Sequence, residues 1–371
     1  MNRRSFLNKA AVTSASIAVT GSAFSQNQDN KPLQVAVIGL VHTHVHGILG
    51  RAKSGDIKIV AIVEINKALA EKYAKQYGFS MDIVFDTMDE MISKTRPEAV
   101  STFTTTYDHL KVVEFFAPKG IHIMVEKPLA VNMTHARKMA DLAQKHNIQL
   151  LTNYETTWYG THHKAWQEII EQQKAGDLRK IVFHTGHQGP FEIGCNKEFT
   201  DWLTDPILNG GGALTDFGCY GANLATWLMK GQKPLIVSCI TQQIKPEIYP
   251  KVEDEATILL TYPKAQVIIQ ASWNWPFSRK NTEIYGQYGY LICEDRNNLN
   301  YQWKDAKQPI MESIPENNAP FNDPFSYLKA VVRKEISLIP FDLSSLENNM
   351  LVMEILDAAR ESAKTGGTIR L

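Results

Sequence analysis

The sequence predicts an α/β protein of two domains, a parallel sheet flanked by helices and then an α/β domain built on an antiparallel sheet. Short apolar runs alternate with helical patterns from Leu33 to about residue 155, which is typical of βαβ units and a parallel sheet. Beyond that point strand-like runs follow one another through short turns, which favours antiparallel pairing. The length of 371 residues agrees with two domains, since ~150 residues is a usual domain size.

The first half alternates strands and helices in a regular order. Apolar runs predict strands at 33–38, 57–63, 98–103, 121–125 and 148–153. Helical patterns predict helices at 68–77, 108–117 and 133–146. Gly78 and Gly120 follow two of these helices, at the position where a left-handed C-terminal cap favours glycine.

The second half changes character after two helical segments. Its strands are predicted at 180–185, 235–241, 256–262, 266–273, 282–285 and 290–293, with a last helix at 346–363. Turns such as Tyr262-Pro263-Lys264 are too short for the crossover that parallel strands need. We therefore place the domains at residues 33–153 and 154–371.

Composition and charge exclude several classes of protein. Lys plus Arg (39) equals Asp plus Glu (39), so the chain lacks the basic excess of a nucleic-acid-binding protein. Four cysteines are far too few for a disulfide scaffold. Cys219 is assigned to packing, and whether Cys195, Cys239 or Cys293 form a disulfide stays open.

Residues 1–25 are predicted to be a signal peptide. Arg3-Arg4-Ser5-Phe6-Leu7 resembles a twin-arginine signal, and the weakly apolar stretch 10–24 fits that export route. An ordinary secretory leader is the alternative. Cleavage after Ala23-Phe24-Ser25 leaves a polar tether at 26–32 and a mildly acidic mature protein. The predicted location is periplasmic, with no membrane contact once the leader is removed.

The turn after the first strand is a degenerate dinucleotide-binding fingerprint. The fingerprint has glycine at its first, third and sixth positions, so that the backbone can approach a pyrophosphate at a helix N-terminus. Gly39 is present, but Val41 and His44 occupy the other two positions. Glu64 ends the second strand, where a carboxylate binds ribose hydroxyls and disfavours a 2′-phosphate. This favours NAD over NADP, although a solvated acid at a strand end is a common alternative.

Two further motifs are more specific. Glu126-Lys127-Pro128 follows the fourth predicted strand. Three glycines at 210–212 precede a helix that carries Asp216, Tyr220 and Asn223, whose spacing places them on one face. Because ligands of open α/β sheets bind at the carboxyl ends of strands, we expect the lysine and the Asp/Tyr pair to meet across a cleft.

These motifs resemble the glucose–fructose oxidoreductase / inositol dehydrogenase / rhizopine catabolism (Gfo/Idh/MocA) family over nearly the whole mature chain. Thr104 and His109 lie at the family's Thr-Pro-x-x-x-His site, where Thr105 replaces the proline. The resemblance implies an N-terminal Rossmann domain that binds NAD(P). It also implies a C-terminal α/β domain with an open, mainly antiparallel sheet, which binds sugars or cyclitols and assembles a homodimer or homotetramer.

The resemblance implies roles for particular residues. Lys127 is expected beside the nicotinamide, bonded to the reacting oxygen; Asp216 orients the substrate, and Tyr220 is the general acid/base. Most members have His at position 220, but Tyr is adequate if a neighbouring ammonium lowers the pKa of the phenol. The expected cofactor contacts are Gly39, Val41, His42, His44, Glu64, Thr104, Thr105, His109, Glu126 and Lys127. The expected substrate contacts are Asn153, Tyr154, Trp202 and Asn223.

His42, His44 and His46, spaced by two, suggest a metal site as one interpretation. They lie where a turn becomes a helix, however, and a spacing of two does not converge on a helix. The carboxylates that would complete a typical site are missing nearby in the sequence. We therefore expect no metal, and expect these histidines to donate to phosphate.

The sequence thus predicts a periplasmic, NAD-dependent oxidoreductase acting on a CH–OH group of a small carbohydrate, glycoside or polyol. Because twin-arginine export carries folded proteins, we expect tightly bound NAD. One alternative is a glycosidase or lyase of the same fold that oxidises its sugar transiently and restores NAD within each cycle. A non-catalytic sugar-binding relative is suggested by the lost glycines, but the intact Lys127, Asp216 and Tyr220 argue against it.

Overall fold

Two β-sheets organise the chain, and the active-site candidates lie where they meet. The computed structural model describes residues 31–51 and 55–371. The predicted signal peptide at 1–25 and most of the tether at 26–32 lie outside the described residues. Within the part described, no helix is long and apolar enough to cross a bilayer. All four cysteines are free thiols.

The first sheet is parallel and has helices on its faces. Its strands are β1 (Leu33–Ile38), β2 (Ile57–Val63), β3 (Val84–Phe85), β4 (Ala99–Thr102), β5 (His122–Glu126) and β6 (Leu150–Asn153). The helices between them are α1 (Val45–Arg51), α2 (Lys67–Tyr77), α3 (Met88–Lys94), α4 (His109–Phe116) and α5 (Met133–Lys145). The spatial order is β3-β2-β1-β4-β5-β6, so the direction of winding switches between β1 and β4. Dinucleotides bind at such a switch point.

Gly39 directly follows β1, at a position where the backbone conformation and the neighbouring atoms leave no room for a side chain. Its φ is +79°, and an added Cβ would lie 2.7 Å from the Thr104 side chain and 3.1 Å from the Phe103 backbone. The turn therefore passes directly against the end of β4. This close approach places residues 40–44 at the carboxyl edge of the sheet.

The second sheet is open and mainly antiparallel, as predicted. Its strands are β7 (Leu178–Gly186), β8 (Ile236–Gln242), β9 (Glu255–Thr261), β10 (Gln266–Ser272), β11 (Arg279–Gly286), β12 (Gly289–Cys293), β13 (Asn298–Trp303), β14 (Ile310–Ser313) and β15 (Ile369–Arg370). The order is β14-β13-β12-β11-β7-β10-β9-β8-β15, in which β7 and β10 alone run parallel to each other. The associated helices are α6 (Gly160–Trp166), α7 (Lys197–Leu203), α8 (Ala213–Leu228), α9 (Pro324–Val332) and α10 (Leu346–Thr365).

Helix α8 is buried along its whole length and packs on β7 and β10. Its close approach to β10 needs glycine at position 221, where a Cβ would lie 2.5 Å from the Ile269 side chain. The helix begins at a glycine, which has no capping side chain. Glu253 supplies the cap instead, since its Oε1 accepts the N–H groups of Gly212 at 2.8 Å and Leu214 at 3.1 Å. Asp216 and Tyr220 are thus held on a rigid, anchored helix.

Helix α9 returns the chain to the first sheet. Phe325 and Leu328 pack in one apolar cluster with Ile48 of α1. Arg51 of α1 pairs with Asp323 at 2.9 Å, at the start of α9. The sequence pattern does not predict this contact between α9 and α1. It adds a second connection between the first sheet and the C-terminal half.

Candidate active site

Lys127 and Asp216 form a buried ion pair between the two sheets. Lys127 follows β5, and its Nζ donates to the Asp216 carboxylate and, at 3.2 Å, to the Asp216 carbonyl oxygen. The side chains are 5% and 7% exposed. Burial alone would lower the pKa of Lys127, but the carboxylate outweighs it and holds that pKa above the usual value. The ammonium likewise holds the pKa of Asp216 below its usual value despite burial. Both groups are charged at neutral pH.

Trp273 fixes the other oxygen of this carboxylate. Its Nε1–H donates to Asp216 Oδ2 at 3.1 Å, and its side chain is fully buried. Asp216 is therefore restrained through both oxygens. Trp273 belongs to none of the motifs that the sequence shows, so its contact with Asp216 could not be predicted from them.

Tyr220 lies one helical turn beyond Asp216, beneath two ammonium groups. Lys127 Nζ is 5.3 Å and Lys280 Nζ 5.0 Å from the centre of its ring. Burial, followed by the Glu155 carboxylate, raises the pKa of Tyr220 well above 10. The expectation of a lowered pKa is wrong, because burial and the nearby carboxylates raise the pKa, and the two ammonium groups are paired with Asp216 and Glu155. The phenol is protonated and able to donate a proton.

Three further polar groups close to this centre were not predicted. Lys280 on β11 pairs with Glu155, which also accepts the Tyr159 hydroxyl at 2.7 Å. His187, just after β7, accepts the Gly189 N–H on Nδ1 at 2.9 Å, which leaves a hydrogen on Nε2. The charges of His187 and Asp216 influence each other's pKa. None of these residues belongs to a sequence motif, so only the fold brings them together.

A cavity of about 460 Å³, here called the Glu64 cavity, opens at the carboxyl ends of β1, β2 and β4. Five predicted cofactor residues line it: Gly39, Val41, Glu64, Thr104 and Thr105. The Glu64 carboxylate accepts the N–H groups of Leu40 at 2.9 Å and Asn66 at 2.8 Å. A carboxylate has about four lone-pair sites, so it can accept ribose hydroxyls as well. These residues fit the adenosine side of NAD.

The first two histidines of the turn converge with a carboxylate. His44 Nδ1 bonds to Glu126 Oε2 at 2.7 Å, and the rings of His42 and His44 are 4.5 Å apart. The possible metal-ligand atoms of all three residues lie within 4.8 Å of one another. The expectation that the side chains would not converge is wrong, because residues 42–44 form a turn and not a helix. The expectation that no carboxylate would be available is also wrong, because the fold brings in Glu126, 82 residues away from His44. His46 leaves the cluster and bonds to the Tyr77 hydroxyl at 2.7 Å.

Glu126 is the centre of a polar chain at the end of β5. Its Oε1 accepts the Asn153 amide at 2.8 Å, and Asn153 Oδ1 accepts the Trp158 Nε1–H at 3.0 Å. With His44 and Glu155, Asn153 and Trp158 line a second cavity of about 390 Å³, here called the Glu155 cavity. Asn153 thus meets Glu126 beside that cavity, and the two cavities lie on either side of the histidine turn.

Four residues that were expected to contact the substrate or the cofactor have other contacts in the structure. Asn223 is wrong as a substrate residue, because it is fully buried and donates to Leu343 O at 2.8 Å, away from the site. Trp202 packs on His42 and donates to Val41 O at 3.4 Å, so it covers the glycine turn and not a sugar. Tyr154 is fully buried, with its ring edge against Tyr220. His109 is also buried and donates from Nδ1 to Leu129 O at 3.1 Å, which supports the loop that carries Lys127.

Family models match both halves of the chain. Residues 33–154 match the oxidoreductase family with an NAD-binding Rossmann fold. Residues 163–292 match the GFO/IDH/MocA C-terminal domain. These matches agree with the predicted family and with NAD as its cofactor.

Curated relatives are distant and only partly covered. The chain is 28% identical over 205 residues to D-glucoside 3-dehydrogenase of Escherichia coli strain K12, a match that covers 54% of this chain and 55% of that protein. It is 24% identical over 227 residues to mouse trans-1,2-dihydrobenzene-1,2-diol dehydrogenase, covering 61% and 63%. The matched region therefore spans less than two thirds of the length of either relative.

Solved structures share the whole architecture at low identity. The aldose–aldose oxidoreductase of Caulobacter crescentus superposes with a TM-score of 0.77 at 20% identity, covering 92% of this chain and all of that one. An inositol dehydrogenase homologue of Azotobacter vinelandii, complexed with NAD⁺, also gives 0.77 at 17% identity, covering 92% and 98%. With the family models, the fold and the motifs around Lys127 and Asp216, these findings place the chain in the Gfo/Idh/MocA oxidoreductase family.

Proposed function

We propose that this protein is an NAD-dependent oxidoreductase that acts on a CH–OH group of a sugar, glycoside or polyol. The observation that carries the proposal is the buried Lys127–Asp216 ion pair beside the Tyr220 ring. A protein that only binds sugar has no need of a charged lysine in a buried position, where burial alone disfavours the charge. Named relatives and neighbours that act on glucosides, diols or aldoses support this substrate class.

NAD would supply the hydride acceptor or donor. Gly39, Val41, Glu64, Thr104 and Thr105, which line the Glu64 cavity, would hold its adenosine side. Glu126 and His44 lie toward the other half of the edge, next to the Glu155 cavity. An elongated dinucleotide fits this arrangement of two cavities along one edge.

Lys127 stabilises the oxygen that gains negative charge when a hydroxyl loses its proton. The ammonium is already held by Asp216, so little reorganisation is needed during the reaction. Asp216 keeps the lysine charged and in place, and Trp273 keeps Asp216 in place. Tyr220 moves the proton of the substrate hydroxyl at its phenolic oxygen. Since its pKa is raised, Tyr220 stays protonated at neutral pH and has a proton to donate in carbonyl reduction, while its action as a base in oxidation requires a higher pH.

The proposal is tested by incubating the purified protein with NAD and a panel of glycosides, free sugars and cyclitols. Mass spectrometry is expected to find, for substrates of one class, a product two mass units lighter than the substrate itself. This oxidation should be matched by the formation of NADH or by the reduction of a second sugar. Release of an aglycone without net oxidation would indicate the glycosidase or lyase class instead. Tight sugar binding without any product would indicate a non-catalytic relative.

We also propose export through the twin-arginine route, supported by Arg3-Arg4-Ser5-Phe6-Leu7 and the weakly apolar stretch after it. Replacing both arginines with lysine is expected to keep the protein in the cytoplasmic fraction. Unchanged export of that variant would favour the ordinary secretory route. Export of a folded protein agrees with retention of NAD, because a cofactor lost outside the cytoplasm is not replaced.

We propose that two copies associate through the open face of the second sheet. Leu259, Ile268, Val182 and Ile292 lie in one row across β9, β10, β7 and β12, with Glu283 of β11 between the last two. The apolar members are only half buried, and they lie opposite the face that packs on α8. Light scattering is expected to show a dimer or tetramer that Ile268→Glu disrupts; a monomeric wild-type protein would contradict this.

A further inference from the structure

Within the described residues, His42 has a buried ring nitrogen without a hydrogen-bond partner. Its side chain is 2% exposed, and within the described residues Nε2 has no hydrogen-bond partner. Its Nδ1 accepts the backbone N–H of His44 at 3.1 Å. Because Nδ1 accepts this hydrogen bond, it carries no hydrogen, and the ring is therefore neutral. A neutral ring with an accepting Nδ1 carries its hydrogen on Nε2, which makes Nε2–H a donor without an acceptor. Such a group is costly to bury.

The turn around His42 has few other donors for an anion. A standard fingerprint turn offers backbone N–H groups to a pyrophosphate. Here the N–H of His42 donates to Phe103 O at 3.0 Å, and the N–H of His44 is used by the His42 ring. Val41 and His44 also replace the glycines that let a ligand come close. Among the described residues of this turn, only the N–H groups of Val41 and Thr43 have no acceptor, so the side chain of His42 adds a donor where few are left.

We propose that His42 is a cofactor-binding residue whose Nε2–H donates to a phosphate oxygen of the bound dinucleotide. This rests on the proposed NAD-dependent function. The rings of Phe199 and Trp202 from α7 cover the His42 ring, with centroids at 4.9 and 5.5 Å. A charge-assisted hydrogen bond shielded from water in this way is stronger than an exposed one.

A metal ion held by His42, His44 and Glu126 is the competing interpretation. A metal ligand must present a lone pair, and Nε2 of His42 has none while Nδ1 accepts the His44 N–H. His44 Nδ1 is already bonded to Glu126. Metal binding through these atoms would break both contacts, whereas a phosphate oxygen would leave both in place.

Two substitutions separate the functions of the two ring nitrogens. His42→Asn keeps a short acceptor for the His44 N–H, as in an Asx turn, but has no distal donor. His42→Gln keeps a donor near the Nε2 position but loses the short acceptor. His46→Asn is the matched control, since His46 bonds to the Tyr77 hydroxyl outside the cluster and its replacement leaves the His42 ring in place. Dissociation constants for NAD, ADP-ribose and nicotinamide mononucleotide are measured by calorimetry on nucleotide-free protein, with thermal unfolding as the test of folding.

His42→Asn is expected to bind both NAD and ADP-ribose about 10- to 100-fold more weakly, while His42→Gln and His46→Asn stay within about threefold of wild type. Equal affinity of His42→Asn and wild type would overturn the proposal, as would equal losses in His42→Asn and His42→Gln. A loss for NAD without a loss for ADP-ribose would also overturn it, because the acceptor would then belong to the nicotinamide half. Stoichiometric zinc in wild type that His42→Asn loses would establish the metal site instead. Wild type that binds no NAD would refute the proposed function itself.

Discussion

Replacing Lys127 with methionine separates the stability of the buried ion pair from its catalytic role. Methionine keeps most of the volume of lysine but leaves the Asp216 carboxylate buried with Trp273 as its remaining partner. Removing one partner of a buried pair costs about 3–5 kcal/mol, because the other charge stays uncompensated. A domain with ~5–15 kcal/mol of stability remains folded after this loss. Turnover is expected to fall by ~10²-fold or more, because no group then stabilises the developing alkoxide.

The double variant Lys127→Met/Asp216→Asn tests this reasoning. It removes both charges, so we expect most of the lost stability to return while turnover stays low. The destabilisation of the single variant also depends on pH. Burial without the ammonium raises the folded-state pKa of Asp216 above its unfolded value, so the cost is present at neutral pH and disappears as pH falls below ~3.9. In wild type the pKa of Asp216 is lowered instead, so its ionised carboxylate stabilises the fold at neutral pH. This stabilisation is lost as the pH falls through the folded-state pKa.

Guanidinium unfolding at pH 7 and steady-state turnover measure the two effects. Lys197→Met is the matched control, since Lys197 and Asp201 form an ion pair at 2.6 Å with 82% and 59% exposed side chains. The stability of this control is expected to change by less than ~1 kcal/mol. A loss below ~1 kcal/mol for Lys127→Met would refute the energetic argument. Turnover close to wild type would refute the catalytic one.

Four further predictions follow from the same site. Tyr220→Phe should lower turnover by ~10²-fold or more, and the wild-type oxidation rate should rise into the alkaline range because the pKa of Tyr220 is raised; a near wild-type rate in the variant would show that another group moves the proton. Glu64 predicts tighter binding of NAD than NADP, and calorimetry that finds the reverse would mean its carboxylate does not reach the ribose. Protein treated with a chelator should stay fully active; activity lost and then restored by zinc would contradict this. Mature protein isolated from the periplasm should contain near-stoichiometric NAD(H) after dialysis and turn over without added cofactor, whereas empty protein would defeat the retention argument.

The parallel sheet could be predicted because its strands are short, apolar and buried. The predicted strand at 33–38 matches β1, and the one at 57–63 matches β2. Strands β13 and β14 could not be predicted in the same way. The sequence of β13 is largely polar and that of β14 is mostly exposed, since they form one edge of the second sheet. An edge strand buries little on either side and so lacks the alternation on which the prediction depends.

The centre of the site could also be predicted, because its residues belong to local motifs. Lys127 and Asp216 each follow a recognisable feature, the end of a strand and a glycine run. Lys280 and Glu155 follow neither, and they meet only because β11 lies near the loop after β6. Glu155 changes the chemistry predicted for Tyr220, since its carboxylate adds to burial in raising the phenol pKa. Motifs locate a catalytic group, but its protonation depends on long-range contacts that motifs do not contain.

His44, at the third glycine position of the fingerprint, is compatible with cofactor binding because its side chain does not enter the interface between α1 and the sheet. Glycine there normally allows the helix to pack closely on its strand. In this chain Val45 and Ile48 make the buried contacts of α1, and the half-exposed His44 side chain extends along the sheet edge to Glu126. His44 therefore lines the Glu155 cavity without disturbing the packing of the helix. A dinucleotide that occupied both cavities would lie against this turn. Its contacts there would be made with the side chains of Val41 and His44, which stand at the two positions that lack glycine.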